Sequence, residues 1–317
     1  MGTTTETQSG NRRPRFVRSR DAPAIALTPR DEEILRALAR HRFLNSVQIQ
    51  KLIPGSPQKI LRRLQALYHA GYIDRPIAQK DYYAQEGSAP LVYAPANKGM
   101  RHLNFRDAGK YPNYEWKRKN DDVRRPFIEH TLEVANLHVA LTAGARARPD
   151  LQLIHANALI ENFPQAPTAH DRAFQWTTAV RHNGHTIPLS VNPDYAFALA
   201  SATIGRRCYL AEVDRATMPL ERADYSMTSI ARKLDTYIHG HAAKLHEKQF
   251  GWKALRVLFV TYTPERAANM RTVALANLTK NPNSRRLFYF TDAAALYSGD
   301  VLSHSWTDGN GEPQTLI

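Results

Sequence analysis

The chain has 317 residues, 43% of them hydrophobic, and a formal net charge of +14 with a pI near 9.9. That length predicts two domains, each able to bury a core, and the charge points to a polyanionic partner. A single cysteine, Cys208, excludes an internal disulfide or a cysteine-rich zinc site, and no apolar run is long enough for a bilayer-crossing helix.

The charge is uneven. Residues 1–126 hold 24 Lys and Arg against 12 Asp and Glu, while residues 127–317 hold 19 against 17. The first part is therefore the expected nucleic-acid contact. It opens with a polar, Arg-rich stretch, including Arg12, Arg13, Arg15, Arg18 and Arg20, which reads as a disordered basic arm over 1–26. Such an arm follows phosphates or simply hangs free. It has no apolar segment of the secretory type, so a cytoplasmic protein is expected.

Thr28-Pro29-Arg30-Asp31 opens a helix, with an N-cap, a proline at the first helical position and acids in the first turn. Ile34, Leu35 and Leu38 form its apolar stripe. Asn45-Ser46 caps a short second helix, and Ser56-Pro57 starts a third that Gly71 ends. Tyr72-Ile73-Asp74 and Leu91-Val92-Tyr93 then read as strands, joined by a loop with its tip at Gln79 to Gly87. Three short helices followed by a β-hairpin predict a winged helix-turn-helix over 27–105. Its expected DNA contacts are Lys59, Arg62 and Arg63 on the third helix, Lys80 on the wing and Lys98 in the closing helix. A protein-protein or dimerisation module is the other use of such a unit. A basic linker, 106–126, follows.

The second domain, 127–317, begins with a helix over Phe127 to Ala143 that carries Glu129, His130, Glu133 and His138. A strand is predicted over Leu151 to Leu159, and a hairpin around Asn183-Gly184. Next comes a long helical stretch from Leu220 to about Lys248, broken near Gly240. A buried strand over Ala254 to Tyr262, another helix, a strand over Arg286 to Phe290 and a loop-like tail complete the chain. His239, His241 and His246 around the helix break read as surface histidines.

The central stretch is Asn192 to Thr217, two strands with a tight connection. A turn near Thr203 sets Asp194 opposite Glu212, and Asp214, two residues on, shares the face of Glu212. Like charges so placed repel, and a divalent metal would reconcile them. The same crowding arises if Asp194 and Asp214 cap strand ends while Glu212 pairs with an arginine such as Arg215 or Arg232. Tyr195, Tyr225 and Tyr237 qualify by type as nicking tyrosines, but no histidine pair accompanies them in the sequence.

A carboxylate hairpin in a mixed α/β layout resembles the PD-(D/E)xK nuclease fold, also called restriction-endonuclease-like. That resemblance implies a Mg²⁺ site with Asp194 and Glu212 as its acids, Asp214 beside them and Glu133 as an added helix acid. The family's lysine, two residues after the second acid, is replaced here by Asp214, which makes Lys233 on the next helix the stand-in. The catalytic set implied is then Asp194, Glu212 and Lys233. The order TPRDEEIL, NPD, AEVDRAT, IARKLDTY and LFVTYTPERAANM, over roughly Leu27 to Trp306, resembles the replication-relaxation family. The resemblance implies an α+β protein of plasmid or mobile-element replication or relaxation. Its expected partners are double-stranded DNA, a plasmid replication or relaxase protein and, as a homodimer, a second copy. Metal-dependent nicking or cleavage is one expected activity. A non-catalytic replication or transcription regulator built on a degenerate nuclease fold is the other.

Overall fold

The computed structural model describes residues 15–80, 89–111, 114–167, 169, 172–182, 184–278, 284 and 286–317. It is a mixed α+β chain in two units, divided between Ala135 and Asn136.

In the first unit, α1 (Pro29–His41) starts where its capping residues require. Thr28 accepts from Asp31 N–H, and the Asp31 carboxylate returns to the Thr28 backbone in a capping box. Asn45 and Gln48 repeat the arrangement at α2 (Ser46–Leu52), and Ser56 caps α3 (Pro57–His69). The apolar stripes of α1 and α3 are buried through Ile34, Leu35, Leu38, Ile60, Leu64 and Leu67. The strands β1 (Leu44–Asn45), β2 (Ile73–Asp74) and β3 (Val92–Pro95) form an antiparallel sheet in the order β1-β3-β2.

Residues 81–88, most of the expected wing tip, lie outside the described residues. At the base of that segment the Gln79 amide pairs with both backbone groups of Val92, at 2.9 and 2.7 Å. Helix α4 (Asn97–Arg106) follows, and α5 (Trp116–Asp121) lies inside the stretch 106–126, with Trp116 buried. Of the N-terminal arm, residues 15–26 are described. Arg18 is bonded to Tyr68 O, Ile73 O and Asp74, with its guanidinium over the Tyr68 ring.

Helix α6 (Arg125–Arg146) gives its first half to the first unit and its second half to the second. The second unit is built on a seven-stranded sheet. Its strands are β4 (Gln152–His155), β7 (Tyr195–Ser201), β8 (Gly205–Val213), β9 (Leu255–Thr261), β10 (Phe288–Asp292), β11 (Trp306–Asp308) and β12 (Pro313–Gln314). The order across the sheet is β12-β11-β10-β9-β8-β7-β4. Strands β8, β9 and β10 run parallel, and the flanking pairs are antiparallel. Both faces are covered, as buried parallel strands require. Leu137 and Leu141 of α6 pack on one face with Phe197, Leu199 and Tyr209. On the other face, α8 (Ile230–Ala242) and α10 (Pro264–Leu278) pack on Ala196, Ala198, Leu210 and Val257.

Several sequence boundaries move. The strand expected to Leu159 ends at His155 and gives way to the short α7 (Ala156–Ile160), an alanine-containing turn better suited to a helix. The long helical stretch expected from Leu220 starts only at Ile230, because Ser229 caps it by accepting from Arg232 N–H. Its break falls at Ala243–Lys244, where Lys244 takes a φ of +56°, and α9 (Leu245–Phe250) follows. Gly240 stays inside the helix for a packing reason. A Cβ there would come within 2.4 Å of the Trp176 ring. Trp176 belongs to the separate ribbon β5 (Trp176–His182) and β6 (His185–Val191). The tail expected as loop supplies β11 and the edge strand β12, and Trp306 is fully buried.

Candidate functional site

The hairpin β7–β8 pairs Tyr195 with Ala211 and Ser201 with Gly205. One further step along that register sets Asp194 opposite Glu212. Tyr195, Phe197, Tyr209 and Ala211 face α6, so Asp194 and Glu212 face α8. Glu212 and Asp214 come at the carboxyl end of the parallel strand β8, the side on which open α/β sheets build their sites.

Glu212 is only 2% exposed. Two side chains of α8, four residues apart and therefore on one helix face, hold its two oxygens. Lys233 Nζ lies 2.5 Å from Oε2, and Tyr237 OH donates to Oε1 at 2.6 Å. Tyr237 is itself fully buried, with the Trp176 ring edge-on at 5.5 Å. Burial pushes the Glu212 carboxyl up from the usual range, and Asp194 adds to this. The Lys233 and Tyr237 donors oppose it only in part. Burial alone would lower Lys233, but the charges of Glu212 and Asp194 outweigh it and raise its pKa. Burial, then Glu212, drives the Tyr237 phenol well above its ordinary value, so it stays a neutral donor.

The other two acids have different partners. Asp194 Oδ2 accepts from Val213 N–H at 2.8 Å, tying the end of β7 to β8. Asp214 is held by Arg266 of α10 through two bonds of 2.5 and 3.0 Å, by Thr261 Oγ1 at 2.9 Å and by Ala216 N–H at 3.0 Å. Glu212 is thus paired with Lys233 and Tyr237 rather than with an arginine, and Arg266, fifty-two positions from Asp214, takes Asp214. Glu133 lies on α6 in the first unit. Among the described residues no group of three or more His, Cys, Asp or Glu is arranged to hold a metal ion.

Sequence reasoning missed Tyr237 as a partner of Glu212, although the i, i+4 spacing from Lys233 carried the signal. It also missed the surroundings of Tyr195. His138 Nδ1 lies 2.8 Å and His155 Nδ1 3.2 Å from the Tyr195 hydroxyl, so the histidine pair absent from its sequence neighbourhood comes from α6 and β4. The expected surface histidines differ too. His246 is 3% exposed and stacks on His241 at 4.8 Å, and burial lowers His241 to about 4.

The expected DNA contacts separate into two groups. Lys59 and Arg62 are exposed on α3 beside Gln58, Leu61 and Gln65. Arg63, by contrast, is bonded to the buried Asp31 at 2.9 and 2.5 Å. Lys80 stacks over Phe16, and Lys98 Nζ donates to Ala70 O at the end of α3.

No helix among the described residues is long and apolar enough to cross a membrane. No curated protein and no solved structure matches the chain significantly. A family model, Replication-relaxation, matches residues 35–252, more than half of the chain. That span runs from α1 to α9 and takes in Asp194, Glu212, Lys233 and Tyr237. The chain belongs to the Replication-relaxation family, and membership ties it to a replication- or relaxation-related function.

Proposed function

We propose that this is a DNA-binding protein of plasmid or mobile-element replication or relaxation, and that its second unit nicks DNA with the help of a divalent cation. The observation that carries the reading is the Asp194–Glu212 pair at the carboxyl end of β8, with Lys233 on Glu212. A buried acid with a raised pKa beside a lysine is characteristic of functional sites. The helix order and the β1-β3-β2 sheet support a winged helix in the first unit. The basic excess of residues 1–126 and the exposed Lys59 and Arg62 support duplex DNA as its ligand.

The donor set fits Mg²⁺. Asp194 and Glu212 offer hard carboxylate oxygens from facing strands, and Mg²⁺ is commonly held by one or two carboxylates, with water filling the rest of its shell. Asp214, with both oxygens engaged by Arg266 and its neighbours, is assigned to holding β8 and β9 against α10. When bound, the cation lowers the pKa of an attacking water and stabilises charge on the phosphate. Within the chain, Asp194 and Glu212 orient, Tyr237 fixes Glu212, and Lys233 offsets negative charge at the scissile phosphate.

A second reading, a non-catalytic regulator on a nuclease-like scaffold, is favoured by the commitment of Asp214 to Arg266. One experiment separates the two. Supercoiled plasmid carrying the element's own origin is incubated with Mg²⁺ or Mn²⁺ and wild type, Asp194→Ala or Glu212→Gln. Nicking by wild type alone, with DNA affinity equal in all three, supports the enzyme. Intact plasmid in every lane, with tight DNA binding, leaves the regulator.

A further inference from the structure

The two oxygens of Glu212 are held by donors of opposite character. Tyr237 is fully buried and rigid, and it is wedged by Trp176, which also fills the space at Gly240. Lys233 reaches Oε2 on a flexible four-carbon stem, and its side chain is 24% exposed. Its ammonium also feels the charge of Asp194 and, less strongly, that of Asp214, which has Arg266 as its own partner.

We infer that Lys233 is the resident cation of this site and exchanges with a divalent metal. In the metal-free protein it neutralises Glu212. When a divalent cation takes up Asp194 and Glu212, Lys233 leaves Oε2 and its freed ammonium turns toward the DNA phosphate, while Tyr237 keeps Oε1 in place. The site is thereby protected from the like-charge repulsion of its empty state, and its phosphate-binding cation is released only once the metal is present. This rests on the nicking reading of the site, and it goes further in giving Lys233 two successive positions.

Three features favour exchange over a permanent ion pair. One ammonium cannot serve Glu212 and a phosphate at full strength together. A partly exposed lysine regains water when it leaves, which lowers the cost of separation. A carboxylate has about four lone-pair sites, so Glu212 can keep Tyr237 and accept a cation on the oxygen that Lys233 vacates.

The test uses the wild-type full chain and an amine-acylating reagent, with labelling at each lysine read by peptide mass spectrometry. Lys244, whose side chain is 67% exposed, is the internal reference. Without metal, Lys233 should label slowly relative to Lys244. With saturating Mn²⁺ its rate should rise about tenfold, equivalent to about 1.4 kcal/mol of lost protection. Glu212→Gln, which keeps an acceptor for Tyr237 and removes the charge, should label fast at Lys233 with or without Mn²⁺. A Lys233 rate that Mn²⁺ leaves unchanged or slows overturns the exchange. If the plasmid is nevertheless nicked under the same conditions, the nicking reading stands without it. If Mn²⁺ releases Lys233 but no nicking follows, the exchange stands and the nicking reading falls.

Discussion

Asp31 in the first unit and Glu212 in the second are both almost completely buried, and they are held in opposite ways. Asp31 has no exposed surface. Burial alone would raise its pKa, but the Arg63 guanidinium and the Thr28 hydroxyl and backbone N–H outweigh it, and Asp31 ends below the usual carboxylate range. Glu212 has one flexible ammonium and one phenol, and it ends above its ordinary value. The first arrangement uses charge to lock α1 onto α3. The second leaves a carboxylate in a setting that penalises its ionised form, a cost that structure alone does not explain. Local destabilisation of this kind is expected where a group must bind or react.

The largest effect should come from removing the cation of each pair. Arg63→Met leaves Asp31 buried and should destabilise the first unit by about 3 kcal/mol, the usual result of breaking a buried pair from one side, read from urea midpoints. The depressed folded pKa of Asp31 gives stability present above 3.8 and lost as pH falls through the lower folded value, so this loss should be full at pH 7. Glu212 has the reverse sign. Its raised folded pKa gives stability present below 4.5 and lost as pH rises through the folded value. Lys233→Met should therefore cost least at low pH, where Glu212 takes up a proton, and progressively more as pH rises. Equal pH profiles for the two variants would break the comparison.

A smaller effect is expected at Tyr237. Tyr237→Phe removes one donor to a buried charged acceptor without changing shape, and should cost about 2 kcal/mol, measured by the same unfolding. If Glu212 were held by Lys233 alone, the change would be silent. The smallest effect on stability belongs to Lys59 and Arg62, which are exposed on α3. Changing both to Ala should leave the unfolding midpoint within about 0.5 kcal/mol. The same variant should weaken DNA binding and flatten its salt dependence by about one to two units of slope. A variant that unfolds early instead would place these residues with Arg63 as part of the scaffold.

Much of the framework could be read from local pattern. The caps at Thr28, Asn45 and Ser56 fixed where helices start, because a capping bond joins residues three apart. The turn near Thr203 fixed the β7–β8 register, because side chains alternate along a strand. Where reading failed, a distant partner decided. Gly240 looks like a break but is a seat for Trp176. The bond between Arg63 and Asp31, thirty-two positions apart, was likewise not legible from spacing along one helix. The tail looks like loop but completes the sheet edge.

The sequence by itself determined which residue types stand on which face of which element, since periodicity and capping are properties of neighbouring residues. Only the tertiary structure decided which partner each charge received: Lys233 and Tyr237 for Glu212, Arg266 for Asp214, and His138, fifty-seven positions away, for Tyr195. The physical reason is that a hydrogen bond to a buried acid depends on distance and desolvation. Both are set by how separate elements pack, and neither is written in the spacing along one of them.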